Sequence, residues 1–78
     1  MPEDRLFDCA TALRKVGRRI QTLVAFSGVP TGTVGQVIQA DAGNGGYTLA
    51  VQWELSGRGK PLVDWFSRAE YDRFLREI

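Results

Sequence analysis

Asp64-Trp65-Phe66-Ser67-Arg68-Ala69-Glu70-Tyr71 joins an apolar strand to a helix start within eight residues. Ser67 and Glu70 have the spacing of a capping box, in which a hydroxyl and a carboxylate satisfy backbone N–H groups left free at a helix end. Phe66 before the cap and Tyr71 inside the helix have the spacing of a hydrophobic staple, which fixes the angle at which the chain turns into the helix. The sequence that follows predicts a helix from Arg68 to about Glu77, with Tyr71, Phe74, Leu75 and Ile78 at i, i+3, i+4 and i+7. That apolar stripe has to cover something.

What it covers is read from the residues upstream. Pro61 to Phe66 predicts a strand, with Pro61 at its first position or on an edge. Ser56-Gly57-Arg58-Gly59-Lys60 is a hairpin connection, and before it Tyr47, Leu49, Val51 and Trp53 alternate with Thr48, Ala50, Gln52 and Glu54. This is the clearest half-buried strand of the chain, and its first set is predicted core. Asn44-Gly45 is a strong hairpin signal, so the strand at 33–40 pairs antiparallel with it. Within 33–40, Val34 and Ile38 share one face and Val37 the other, and Gly35 marks a bulge or tight bend. Ser27-Gly28-Val29-Pro30-Thr31-Gly32 is turn chemistry. Before that turn, Ile20, Thr22, Val24 and Phe26 alternate along a first strand.

At the start of the chain, Leu6, Ala10 and Leu13 fall near helical spacing, with Pro2, Glu3 and Asp4 at one end and Arg14 and Lys15 at the other. Two readings stand for residues 1–16: a short helix stopped by Gly17, or an irregular arm, since Thr11 and Cys9 are weak helix formers. The expected organisation is one domain, with this helix or arm, a barrel over 18–66 and a closing helix over 68–77.

Composition narrows the class. The chain has 78 residues, 44% hydrophobic and 24% charged, which describes a globular domain and not a disordered tail. A core of this size rarely supplies more than about 3–5 kcal/mol, so an interface with another chain has room to add stability. Ten Lys and Arg against nine Asp and Glu give a charge of +1, far from the balance of a strongly basic nucleic-acid binder. There is no His, and the lone Cys9 has no disulfide partner, which removes Cys/His metal sites and Ser-His or Cys-His nucleophile pairs. Cys9 reads as a small buried residue. No apolar run reaches membrane-span length and no secretory pattern is present, so the expected location is cytoplasmic, with no membrane, metal or cofactor.

Several strongly bent strands with glycines at the corners predict a mainly β fold: a small antiparallel barrel of four to five strands with a C-terminal helix and a short N-terminal helix. Pro30-Thr31-Gly32-Thr33-Val34-Gly35-Gln36-Val37 resembles the glycine-rich first hairpin of SH3-like barrels, including the KOW modules of ribosomal and transcription proteins. The later Gly46-Tyr47 to Val51-Gln52-Trp53 run adds to the likeness, which covers Gly17 to roughly Phe66. The resemblance implies a binding module. The near-neutral charge departs from nucleic-acid-binding KOW modules, and neither the acidic loop nor the aromatic groove pattern of signalling SH3 domains is clear. The plasmid-encoded type II dihydrofolate reductases share the SH3-like barrel, but their Val-Gln-Ile-Tyr run is matched only by Val51-Gln52-Trp53, on the preceding strand, so that activity is not carried over.

Three groups of residues are candidates for function. Trp65 lies beside Phe66, so the two point to opposite faces of a strand. With Phe66 on the helix side, Trp65 is either an exposed anchor for a protein or a base, or covered by a second layer. Phe26, Val29 and Pro30 sit in an apolar-tipped loop that either presents a protein contact or plugs the barrel mouth. Arg14, Lys15, Arg18 and Arg19 place four positive charges within six residues, which can contact phosphates or simply form a solvated helix end. Asp64, Glu70 and Asp72 are assigned to architecture: Glu70 to the cap, Asp72 to an i,i+4 pair with Arg76, and Asp64 to a nearby turn. The expected function is a non-catalytic module that binds a protein or itself through the aromatic face formed by Trp65, Phe26, Val29 and Pro30. The alternative is a nucleic-acid-binding or regulatory protein using the basic cluster.

Overall fold

A computed structural model describes residues 6–26, 28–55 and 62–78. Its elements are α1 (Cys9–Lys15), β1 (Arg19–Thr22), β2 (Val34–Gly43), β3 (Gly46–Trp53), β4 (Leu62–Phe66), α2 (Arg68–Phe74) and β5 (Leu75–Glu77). The five strands form one antiparallel sheet in the order β4-β3-β2-β1-β5. No pairing joins β4 to β5 among the described residues, so the sheet is open, and hydrogen bonds do not close the barrel expected from the sequence. Among the described residues no helix is long and apolar enough to cross a membrane.

The meander follows the sequence signals. Ile20 and Thr22 are buried on β1, and Leu49, Val51 and Trp53 on β3. Gly45 turns the β2–β3 hairpin at φ +85°, a conformation a side chain disfavours. On β2 the core face belongs to Val37, and Ile38 is exposed. The register shifts between Val37 and Gln39, so the bulge lies at Ile38 and not at Gly35. The extra residue resets the alternation, which lets Val37 and Ala40 both meet the core. The predicted hairpin at 56–60, with Arg58 and Lys60, and Pro61 lie outside the described residues.

The two ends of the chain depart from expectation. α1 begins at Cys9, where the Asp8 carboxylate accepts the Thr11 N–H at 2.7 Å; Pro2, Glu3 and Asp4, which the sequence places at the helix start, lie outside the described residues. Phe7 ahead of it is extended and exchanges backbone bonds with Tyr47 at 3.0 and 2.8 Å. Phe7 and Ala12 are buried, whereas Ala10, Leu13 and Cys9 are exposed, so the stripe expected from spacing is not the one used. Gly17 does end the helix, at φ +95°, and its N–H bonds the Val37 carbonyl at 2.7 Å.

At the other end, α2 stops at Phe74, three residues short of the predicted Glu77. Leu75 turns extended, and Leu75–Glu77 pairs with β1 as Thr22–Leu75, Gln21–Arg76 and Ile20–Glu77. With the last turn unwound, Asp72 pairs backward with Arg68 at 3.8 Å, and Arg76 donates to the Gln21 side chain. The Asp72–Arg76 pair expected on a longer helix is therefore absent.

The capping box is formed as read: Ser67 Oγ accepts the Glu70 N–H at 3.1 Å, and Glu70 Oε1 accepts the Ser67 N–H at 2.9 Å. A seven-residue helix has little propensity to draw on, so its cap weighs heavily. Ser67→Ala is expected to lower stability by about 1 kcal/mol, read as a drop in melting temperature.

Candidate aromatic groove

β4 alternates as expected. Leu62, Asp64 and Phe66 turn toward the core side, and Val63 and Trp65 turn outward. Phe66 is buried, whereas Trp65 is 50% exposed. No second layer of described residues covers the outer face at Trp65, which settles exposure against burial for this side chain.

Beside Trp65 lies a groove of about 240 Å³, lined by Phe26, Asp64, Trp65, Phe66, Glu70 and Phe74. Phe26 is its centrepiece, with ring centroids 5.9 Å from Trp53, 5.7 Å from Phe66 and 6.3 Å from Phe74. The loop holds Phe26 there because Phe26 and Val29 bond each other's backbones at 2.8 and 3.0 Å. Val29 is buried at 1% exposure, so this loop plugs the core and of the three predicted loop contacts leaves Pro30 exposed. The sheet and loop thus bring Trp65 and Phe26 to one groove and send Val29 inward.

Asp64 sits on the apolar side of its strand, where an unpaired carboxylate would be costly. Its Oδ2 accepts the Trp53 indole N–H at 2.8 Å, so a buried donor and a half-buried acceptor satisfy each other across neighbouring strands. This replaces the backbone-turn role expected for Asp64. Glu70 stands on the opposite wall, its Oε1 spent on the cap. Each carboxylate keeps a second oxygen, Oδ1 and Oε2, with no partner among the described residues.

The basic cluster is largely neutralised by acids from distant parts of the chain. Lys15 pairs with Glu77 and lies 5.3 Å over the Tyr71 ring. Arg18 reaches Glu77 at 3.8 Å and Arg19 reaches Glu54 at 3.0 Å, which leaves Arg14 without an ion pair among the described residues. The Tyr71 hydroxyl also donates to Glu77, at 3.0 Å. Lys15 and the Tyr71 hydroxyl hold the Glu77 carboxyl below the usual glutamate range. Burial, reinforced by the charge of Glu77, pushes the Tyr71 phenol above its ordinary value.

The two shifts bound a stability plateau. A lowered carboxylate contributes fully above its ordinary value of 4.5 and loses that contribution as pH falls through the lowered folded value. A raised phenol contributes fully below its ordinary value of 10.0 and loses that contribution as pH rises beyond it. Glu77→Gln is expected to remove the acid limb that this carboxylate contributes to the curve of melting temperature against pH, and to flatten the alkaline limb only in part, because burial is the larger cause of the Tyr71 shift.

Comparison with protein-family models, with curated proteins and with solved structures finds no match to this chain. The reading of function therefore rests on the groove itself. Among the described residues no group of three or more His, Cys, Asp or Glu is placed to hold a metal ion. Both groove carboxylates already serve as acceptors for structural donors. What the groove offers is an aromatic floor, a half-exposed indole and two carboxylates in its lining.

Proposed function

We propose that this chain is a small, non-catalytic binding module of the SH3-like barrel type, which recognises a protein partner through Trp65 and the groove beside it. The observation that carries the reading is the half-exposed indole on β4. A large aromatic left half-exposed beside a partly buried aromatic cluster has the properties of an interface anchor: high contact area and little conformational entropy to lose. Phe26, Phe66 and Phe74 supply the apolar surface against which a partner's side chain is desolvated.

The barrel assignment is supported by curvature. Four strand spacings in a flat sheet would set β4 about 19 Å from β5, whereas the seven residues of α2 rise only about 10 Å between them. Phe26, just after β1, also touches Phe66 on β4, three strands away in the sheet order. Both fit a sheet curled around its core with α2 across the open side. The nucleic-acid alternative loses weight because three of its four cations are held by carboxylates.

Selection of a random peptide library on the immobilised chain tests the reading. Enriched peptides are expected, with affinity falling about tenfold or more for Trp65→Ala while the melting temperature stays near that of the parent. Peptides that bind Trp65→Ala as well as the parent, or an absence of enrichment, would remove the groove as the recognition surface.

A further inference from the structure

Trp65 and Phe66 are chain neighbours that point to opposite faces of the sheet, yet both line the groove. A groove that meets both faces of one strand runs alongside its backbone. Among the described residues β4 ends the strand order, and its pairing, from Leu49–Phe66 to Trp53–Leu62, occupies one side only. Alternate residues of β4 therefore turn N–H and C=O groups outward along this unpaired edge. The far wall is α2, through Glu70 and Phe74. At about 240 Å³ the space suits the side chains of an extended segment, not a helix about 10 Å across.

Resting on the groove-binding reading above, we propose that the partner is an extended, basic segment of another protein, added as a strand to the free edge of β4. A Lys or Arg side chain lies between Asp64 and Glu70, and an apolar neighbour packs on Phe26 and Phe74. Charge selects this occupant. Among the described residues the lining carries two carboxylates and no cation, and the Trp65 face offers a further cation site. A second copy fits poorly: Asp64 is the middle residue of Leu62–Phe66, so antiparallel pairing of two β4 edges about their centre sets Asp64 against Asp64. Like charges directly opposite destabilise a strand pair.

The test titrates the full chain with a capped seven-residue peptide alternating Val and Arg, followed by tryptophan fluorescence and calorimetry. Comparison peptides carry Glu in place of Arg, or N-methyl groups on one or the other alternate set of residues. The Val-Arg peptide is expected to bind, and the Glu version to bind at least about tenfold more weakly. One N-methylated set should lose about tenfold and the other little, since an added strand uses the donors of one side only. Asp64→Asn with Glu70→Gln keeps both acceptors for Trp53 and Ser67, and should weaken the Arg peptide while sparing the Glu peptide. Equal binding of both N-methylated sets overturns strand addition, and equal binding of the Arg and Glu peptides overturns the basic partner. Concentration-dependent dimerisation abolished by Trp65→Ala assigns the groove to a second copy and overturns the proposal. If none of these peptides binds but library-selected peptides still depend on Trp65, this proposal fails and the groove reading survives; if that dependence is also absent, both fail.

Discussion

Trp53→Ala is expected to leave the chain largely unfolded at room temperature, seen as loss of the near-ultraviolet dichroism of the aromatic cluster. Trp53 is 3% exposed and packs against Phe26 in a tilted pair and Phe66 in an edge-on pair, with centroids at 5.9 and 6.2 Å. Truncating such a residue costs about 3–5 kcal/mol, comparable to the whole stability expected of a chain this size. Trp53→Phe separates the ring from its N–H. It keeps most of the packing but strips Asp64 of its donor, and about 1–2 kcal/mol should be lost in urea unfolding. Adding Asp64→Leu to Trp53→Phe should recover part of that loss, because removing both partners of a bond is cheaper than orphaning one. A double variant no more stable than Trp53→Phe would mean that the indole–carboxylate bond contributes nothing to the fold.

That bond also marks how far the sequence could be read. Leu62, Asp64 and Phe66 alternate, so Asp64 had to face the core side, and a buried indole on the next strand needed an acceptor; the pairing of the two was available from pattern and chemistry together. The capping box, the Asn44-Gly45 hairpin and the alternation of β3 were legible for the same reason: each is local. β5 was not. Tyr71, Phe74, Leu75 and Ile78 fit a helical stripe, and nothing within reach of Leu75 in the sequence reveals that β1 has a vacant edge some fifty residues earlier; tertiary pairing outweighed helical propensity. The same limit hid the partners of the basic cluster, since Lys15 meets Glu77 across 62 residues. Alternation established that Trp65 and Phe66 diverge, but what covers each face is decided by topology, so exposure of Trp65 and its meeting with Phe26 were legible only as one of two outcomes. Asp8 was within reach: an Asp three residues before Thr11 is an N-cap signal, masked by placing the helix start at Pro2.

Gly35→Val reverses what strand propensity alone would give. Valine is among the best strand formers and glycine among the worst, a difference of up to about 1 kcal/mol in favour of the variant. Gly35 has no positive φ that only glycine tolerates. Its neighbours are the obstacle: a Cβ there would lie 2.8 Å from Trp53 Cε3, 2.8 Å from Val51 Cγ1 and 3.0 Å from the Gln52 carbonyl oxygen. The oxygen belongs to the paired backbone of β3 and cannot step aside without breaking the ladder, and both side chains are buried. Overpacking of this kind costs about 1–3 kcal/mol for the first added carbon, and the two methyls of valine extend further into the same space. A net loss of stability is therefore expected for Gly35→Ala and a larger one for Gly35→Val. Combining Gly35→Ala with Val51→Ala should cost less than the sum of the two, with a coupling of about 1 kcal/mol, because the second change removes one of the clashing carbons. If Gly35→Ala left stability unchanged or raised it, the close seat of Trp53 against β2 would not be what requires glycine, and the bend first read at this position would have to be reconsidered. The seat matters beyond stability: Trp53 pressed against Gly35 aims its indole N–H at Asp64, so an alanine that displaces the ring should also weaken the hold on the carboxylate that faces the groove.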